Sequence, residues 1–446
     1  MSLLLAALAL TPHAAGAEVT WEGFYRGRLR LFDSLSMSNS NGQAEGSASS
    51  FDHRLRLAPT FTLSENVEIH ADLGVLAYTR WGDAANTWDD PLTGASIALA
   101  EADGVATSAA SISARRAWAE AYTPAGRFAV GRMPMDWGAG LLWNPGDDVL
   151  SEFGDTADRF AWTGRFGPAF VLAAFDLHHE GFVADGVDTP ADDMAAISAA
   201  VGFRSETAGL GLLNNLRYQG SNDWLAYTGD LWGLAEIGPL RLETEVVATF
   251  GAGDLDTGAN DVSVMAFGAM LDGAYDAERF VVGIEGGIAT GDTDPTDADI
   301  STFSFDRDYN VALLLFEEPL PTLATTVQND TNEGRTTEAA LTADGVSNAL
   351  YVKPSFTFRP RKDLELTATY VTAGLAAGPA ATDGRTGLGH EIDLDVSYRP
   401  FPHLRVAGTA GVLIPGRYYS EYADPDLGGG FDRAVFGARV LAIAEF

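Results

Sequence analysis

The chain has 446 residues, with 62 acidic against 28 basic side chains and a formal charge of −34, a balance that repels phosphate backbones and excludes nucleic acid as a partner. It contains no cysteine, which excludes disulfides, thiolate metal sites and cysteine nucleophiles. With 49 glycines, 10% aromatic and only 20% charged residues, it is not a disordered acidic chain. Beyond the first ten positions no apolar run approaches the roughly 18 residues of a membrane helix.

Residues 2–10 form an apolar run, and Ala15-Gly16-Ala17 supplies the small residues of a cleavage site, so residues 1–17 read as a signal peptide. The positive n-region of such a peptide is missing. No Pro- or Ser-rich linker and no shift of composition divides residues 18–446, which read as one domain.

From Thr20 onward the pattern alternates with period two, the signature of a half-buried strand. Trp21, Tyr25, Leu29 and Leu31 share one face, and Glu22, Arg26, Arg28 and Arg30 share the other. Residues 51–63 repeat the alternation, with Leu55, Leu57 and Phe61 opposite Asp52, Arg54 and Arg56. Residues 67–75 follow, Val67, Ile69 and Leu73 facing away from Glu68, His70 and Asp72. Further strands are expected over 112–123, 127–136, 159–166, 169–178, 194–204, 210–219, 224–237, 240–251, 261–275, 279–290, 348–359, 364–373, 389–399, 404–414 and 432–446. That makes about 18, within the range of transmembrane antiparallel β-barrels of the outer membrane.

The connections alternate in length. Short turns lie at 64–66, 124–126, 166–168, 205–209, 238–239, 276–278, 360–363 and 400–403, and longer polar loops at 33–50, 81–111, 138–158, 180–193, 252–260, 291–347, 374–388 and 415–431. The short connection 220–223 breaks the rule. Short periplasmic turns and long extracellular loops are what an outer-membrane barrel needs. A propeller or sandwich has no reason to sort loops by parity.

The last strand ends Ala438, Val440, Ala442, Ala444, Phe446 on one face, with Arg433, Arg439 and Glu445 on the other. A terminal aromatic on the outward face resembles the C-terminal signal of bacterial outer-membrane barrels. That resemblance implies the barrel-assembly machinery as a partner, with lipid and lipopolysaccharide as surroundings. The segment Gly131-Arg132-Met133-Pro134-Met135-Asp136-Trp137-Gly138, followed by Asn144, Gly146-Asp147-Asp148 and Phe153-Gly154-Asp155, resembles a group of outer-membrane barrels from myxobacteria and related proteobacteria. More distantly, GR…WG resembles the alginate-export outer-membrane family. The second resemblance implies passage of an anionic polysaccharide.

Of the 28 basic residues 26 are arginine, Lys353 and Lys362 being the exceptions. Arg26, Arg28, Arg30, Arg54 and Arg56 fall by parity on the polar wall, because a guanidinium in mid-membrane lipid costs about 2–4 kcal/mol. Two readings stay open. The arginines line a water-filled pore for anions, or they form a salt-bridge network with Glu68, Asp72, Glu391, Asp393 and Asp395. Arg433 and Arg439 belong to the same expected lining. A constriction is expected from loop 138–158 with its flank, through Trp137, Asp147, Asp148, Asp155 and Asp158, and from the apolar run 309–316, which a wholly solvated loop would not tolerate. Packing of either loop on the outer rim is the alternative.

Aspartates 254, 256, 261, 292, 294, 297 and 299 resemble calcium ligands only loosely, since neither group has the twelve-residue spacing with a terminal Glu. The chain contains no Gly-x-Ser-x-Gly elbow, and its seven histidines show no metal spacing. His178, His179 and Asp176 are the nearest approach to a catalytic group. The sequence therefore predicts no catalytic residue, metal or cofactor. It predicts a porin-like channel for a small hydrophilic solute or polysaccharide, or a structural or adhesive barrel with a closed lumen.

Overall fold

The computed structural model describes residues 18–35, 37, 47–81, 87–89, 96–98, 112–178, 194–220, 223–254, 262–293, 297–318, 320, 345–378, 384–422 and 431–446. The expected signal peptide lies outside the described residues.

Eighteen antiparallel strands close into one barrel. They are β1 (Glu18–Asp33), β2 (Ala48–Ser64), β3 (Val67–Trp81), β4 (Ile112–Thr123), β5 (Gly126–Pro134) and β6 (Thr156–Phe166). Next come β7 (Ala169–His178), β8 (Met194–Arg204), β9 (Ala208–Gln219), β10 (Trp224–Ile237), β11 (Leu240–Gly253) and β12 (Val262–Asp276). The last six are β13 (Phe280–Ala289), β14 (Ala349–Arg361), β15 (Leu364–Leu375), β16 (Gly387–Phe401), β17 (Leu404–Pro415) and β18 (Val435–Glu445). Each strand pairs with its neighbour in sequence, and β18 pairs with β1. Past the end of β18, Gly23 and Phe446 exchange two backbone hydrogen bonds of 3.0 Å. Closure leaves no sheet edge to be satisfied by lipid.

The alternation has the sense of a membrane barrel. On β8 the inward Ala196 and Ala200 are 1% exposed, whereas the outward Ile197 and Val201 are 59% and 52% exposed. A soluble protein would invert that order. Aromatics such as Phe166, Tyr275, Phe280 and Phe401 sit exposed at the short-turn ends of their strands, where a girdle at the lipid–water interface belongs. Two of the short turns are Gly-Pro pairs, 167–168 and 238–239. Their glycines adopt φ +63° and +60°, the positive first position of a II′ hairpin turn that a β-carbon would strain.

Strand limits agree with the sequence reading to within a few residues, except where the chain leaves the wall early. β5 stops at Pro134, not at 136, because the following residues turn into the lumen. The described part of 297–320 also enters. Leu313, Leu314, Leu315 and Phe316 join Leu141, Phe303, Phe305, Tyr351 and Tyr419 in a buried cluster inside the barrel, so the run 309–316 is an interior element and not a rim packing. Asp299–Ile300 adds a two-residue parallel pairing to β12.

Candidate functional site

The interior is organised around two segments of chain that fold inward from the long-loop side, 135–155 and 301–318. The first leaves β5 through Trp137-Gly138. Gly138 has φ +63°, and the Glu245 carboxylate lies where a β-carbon would project, so glycine is required on both counts. Trp137 is buried edge-on to Phe170, ring centroids 6.3 Å apart. Asn144 Oδ1 accepts the Gly146 N–H at 2.9 Å and Asp148 Oδ1 accepts that of Leu150 at 2.7 Å, two local turns of the Asx type.

Arginines of the wall then grip the segment. Arg26 donates to the carbonyls of Val149 (3.0 Å) and Leu150 (3.2 Å), Arg54 to that of Ser151 (2.5 Å), and Arg56 to that of Gly146 (3.1 Å). Arg116 donates to the Pro145 carbonyl and, at 2.8 Å, to Asp147 Oδ1. Arg28 is shared between Asp52 and Glu152, and Arg56 between Asp72 and Asp147. Burial pushes the Glu152 carboxyl up, but Arg28 and Arg26 outweigh it and hold it below the usual range. Asp147 is likewise held low, burial being overcome by Arg56 and Arg116.

Other parts of the wall are acidic and grip amides, Glu245 on β11 and Glu391 with Asp393 on β16. Glu245 accepts the N–H groups of Ala139 and Leu142. Glu391 accepts those of Leu313, Leu314 and Leu315 at 3.0, 2.8 and 2.8 Å, and Asp393 also takes Leu313 at 3.2 Å. Three successive N–H groups around one carboxylate form an anion nest of backbone donors. The two segments meet each other through Asp306 N–H to the Leu141 carbonyl (2.8 Å) and through Asp308, whose Oδ1 accepts Glu152 N–H (2.7 Å) and Phe153 N–H (3.2 Å).

Set against the expected lining, Arg26, Arg28, Arg30, Arg54, Arg56, Glu68, Asp72 and Arg439 all face the interior. Arg26, Arg28, Arg54 and Arg56 are nonetheless buried, with Arg26 0% exposed, because they end on the inward segment and not on an open bore. Asp72 is their partner as expected. Glu391 and Asp393 are not, since they cap the amides of 313–315, and Asp395 accepts the Thr409 hydroxyl at 2.6 Å. Arg433 is not on the lining either. It lies before β18 at the long-loop rim, 3.6 Å from Asp33. Asp158 is no constriction residue: it sits on β6 with its side chain on the outer face, paired with Arg132 at 2.7 Å. Asp148 is exposed, while Asp155 is within the inward segment. Asp256, Asp261, Asp294 and His179 lie outside the described residues. Asp297 accepts the N–H of Asp299 in a local turn and Asp292 that of Ser301 nine residues on, and Asp176 is bound by both arms of Arg159.

The sequence reading missed Arg116, whose parity on 112–123 would have revealed it. It also missed a cavity of about 590 Å³ near the short-turn end, lined by Arg127, Arg165, Arg204, Trp137, Phe170 and Trp232. Arg204 stacks its guanidinium 5.4 Å from the Trp232 ring. Among the described residues neither Arg165 nor Arg204 makes an ion pair with a carboxylate, although Asp136 borders the same cavity and feels the charge of Arg204.

Solved barrels of Pseudomonas aeruginosa share this architecture. OccK9 (OpdG) superposes with a TM-score of 0.55 at 13% identity, over 96% of this chain and 99% of that one. OpdK solved with vanillate gives 0.53 at 12%, over 96% and 98%, and OpdQ 0.54 at 10%, over 96% and 97%. OpdK is an outer membrane protein. The likeness is one of fold. The chain matches no protein-family model and no curated protein sequence. An apolar belt on a closed 18-stranded barrel, around a charged and partly filled interior, is the architecture of a bacterial outer-membrane protein.

Proposed function

We propose that the protein is a channel of the bacterial outer membrane for small negatively charged solutes, with the short turns in the periplasm. The observation that carries this reading is the cavity of Arg127, Arg165 and Arg204 among Trp137, Phe170 and Trp232. Arg127 is held by Glu120, but the Arg165 and Arg204 guanidiniums make no ion pair among the described residues and attract an anion, and flat rings beside them favour a planar one. OpdK, solved with vanillate, a small aromatic carboxylate, supports the same class. Arg26, Arg28, Arg54 and Arg56 are already engaged by Glu152, Asp147 and loop carbonyls, and Arg30 pairs with Asp52. Selectivity therefore falls to Arg165 and Arg204. The GR…WG likeness to alginate exporters supports a polysaccharide less well, because two packed segments occupy the lumen.

That same buried cluster favours a second reading, a structural barrel with a closed lumen. Planar-bilayer recordings separate the two. The channel reading expects conductance steps and a reversal potential in a salt gradient that shifts toward cations in Arg165→Ala with Arg204→Ala. No steps at any voltage would establish the closed barrel. An unchanged reversal potential would remove the anionic solute.

A further inference from the structure

The interior also holds a second cluster, which shares only Arg127 with the cavity above. On β3 and β4, near the short-turn end, Glu68 lies directly across from Glu120 in the strand register, and His70 across from Trp118. Like charges directly opposite on one face destabilise a pair of strands, so this placement calls for a cation. Arg127 answers part of the need, 2.9 Å from Glu120 Oε1, where Trp118 Nε1 also donates at 3.0 Å. The other oxygen, Glu120 Oε2, faces Glu68 Oε2. The Tyr122 hydroxyl stands between them, 2.7 Å from Glu120 and 3.3 Å from Glu68, with one proton to give.

His70 completes the group. Its Nδ1 is 3.0 Å from Thr60 Oγ1 and its ring stacks on Trp118 at 4.8 Å and 16°, which fixes the imidazole plane. Nε2 is fully buried and has no hydrogen bond; the nearest group is Glu68 Oε2 at 3.5 Å, too long for one. A buried ring nitrogen without a partner is rare in a folded protein. One ligand atom from each of Glu68, His70 and Glu120 lies within 4.8 Å of the others. His70 and Trp118 border a cavity of about 670 Å³, so an ion would have a route from the lumen.

We propose that Glu68, His70 and Glu120 bind a divalent ion of the zinc class at the short-turn mouth of the barrel. Two carboxylates and an imidazole suit zinc and its neighbours better than calcium or magnesium, which take oxygen alone. The chain has no cysteine, so no thiolate competes for the ion. Thr60 is the outer partner that holds the ring for the metal, as ligating histidines require. Arg127 leaves the net charge of the group at −1 when His70 is neutral, enough to favour a cation and to keep the site ordered without one.

The test is calorimetric titration of the folded, detergent-solubilised barrel with Zn²⁺ in an excess of Mg²⁺, which saturates the acidic loops. One Zn²⁺ site is expected, weakened about tenfold or more in His70→Ala and in Glu68→Gln, with quenching of Trp118 fluorescence by Cu²⁺ that is lost in Trp118→Phe. Glu68→Gln keeps the hydrogen bond from Tyr122 and covers the case in which His70→Ala does not fold. Absence of Zn²⁺ binding under Mg²⁺ overturns the proposal. So does binding that neither variant weakens, or an imidazole of His70 that stays protonated at neutral pH with Zn²⁺ present, which would make Glu68 and His70 a plain ion pair.

Discussion

Arg56 on β2 reaches Asp147 across 91 positions of sequence, Nη2 to Oδ1 at 2.5 Å, while the same guanidinium holds Asp72 of β3 at 2.8 Å. One side chain thus ties the inner segment to the wall and to the next strand. Asp147 is about half exposed, so the bond is partly screened.

In a double-mutant cycle of Arg56→Ala and Asp147→Ala, the coupling energy for denaturation is expected at about 1–2 kcal/mol. In bilayers Arg56→Ala should raise current noise and conductance as 145–152 loosens. A coupling near zero would mean that Arg26, Arg54 and Arg116 hold the segment without Arg56.

Replacing Glu391 by alanine removes the acceptor of three amides in one step. Buried N–H groups left unpaired cost about 1–3 kcal/mol each when no substitute is found. Hydrogen exchange at Leu313, Leu314 and Leu315 should accelerate by at least about tenfold, while exchange in β8 and β9 stays as it is. Equal acceleration across the barrel would show that Glu391 supports the wall and not the segment.

Docking of the two segments is expected to depend on pH through Asp306 and Asp155. Burial pushes the Asp306 carboxyl up, Asp155 beside it adds to the shift, and it reaches about 8. Burial raises Asp155 as well, although Arg116 opposes the shift, and Asp308 adds negative charge from the same segment as Asp306. A free aspartate titrates near about 4. The docked state therefore keeps a proton that the undocked state gives up, and its advantage is fully present below about pH 4 and lost as the pH rises to about 8, by up to about 1.4 kcal/mol per pH unit. Exchange at Asp306 and Tyr309, corrected for the intrinsic rate, should rise across that window in the native chain. In Asp306→Asn it should stay flat, and an identical slope there would assign the effect to other groups.

Period two and loop length carried the reading of the wall. Arg26, Arg28 and Arg54 face inward and Leu29, Leu55 and Phe446 face out because a strand decides the side of each residue by parity, and lipid forbids the opposite choice. That information is local, and the sequence by itself determined the strands, their order, the closure and the sense of the alternation. The inward course of 135–155 was half legible. A constriction was expected there, and only the folded chain shows that Met135, Trp137 and Leu141 are buried inside the barrel while Leu150 and Phe153 stay exposed. Asp158 and Arg433 look like interior residues in the sequence and lie outside or at the rim, because β6 begins at Thr156 and β18 at Val435, limits that pairing with the neighbouring strands decides. The partners of charged side chains were not legible at all. Glu391 faces amides 76 to 78 positions away, and Glu68 meets Glu120 through a register between strands separated by a long loop. Such meetings follow from cross-strand register and from which loop enters the lumen, properties of the closed barrel that no local pattern encodes.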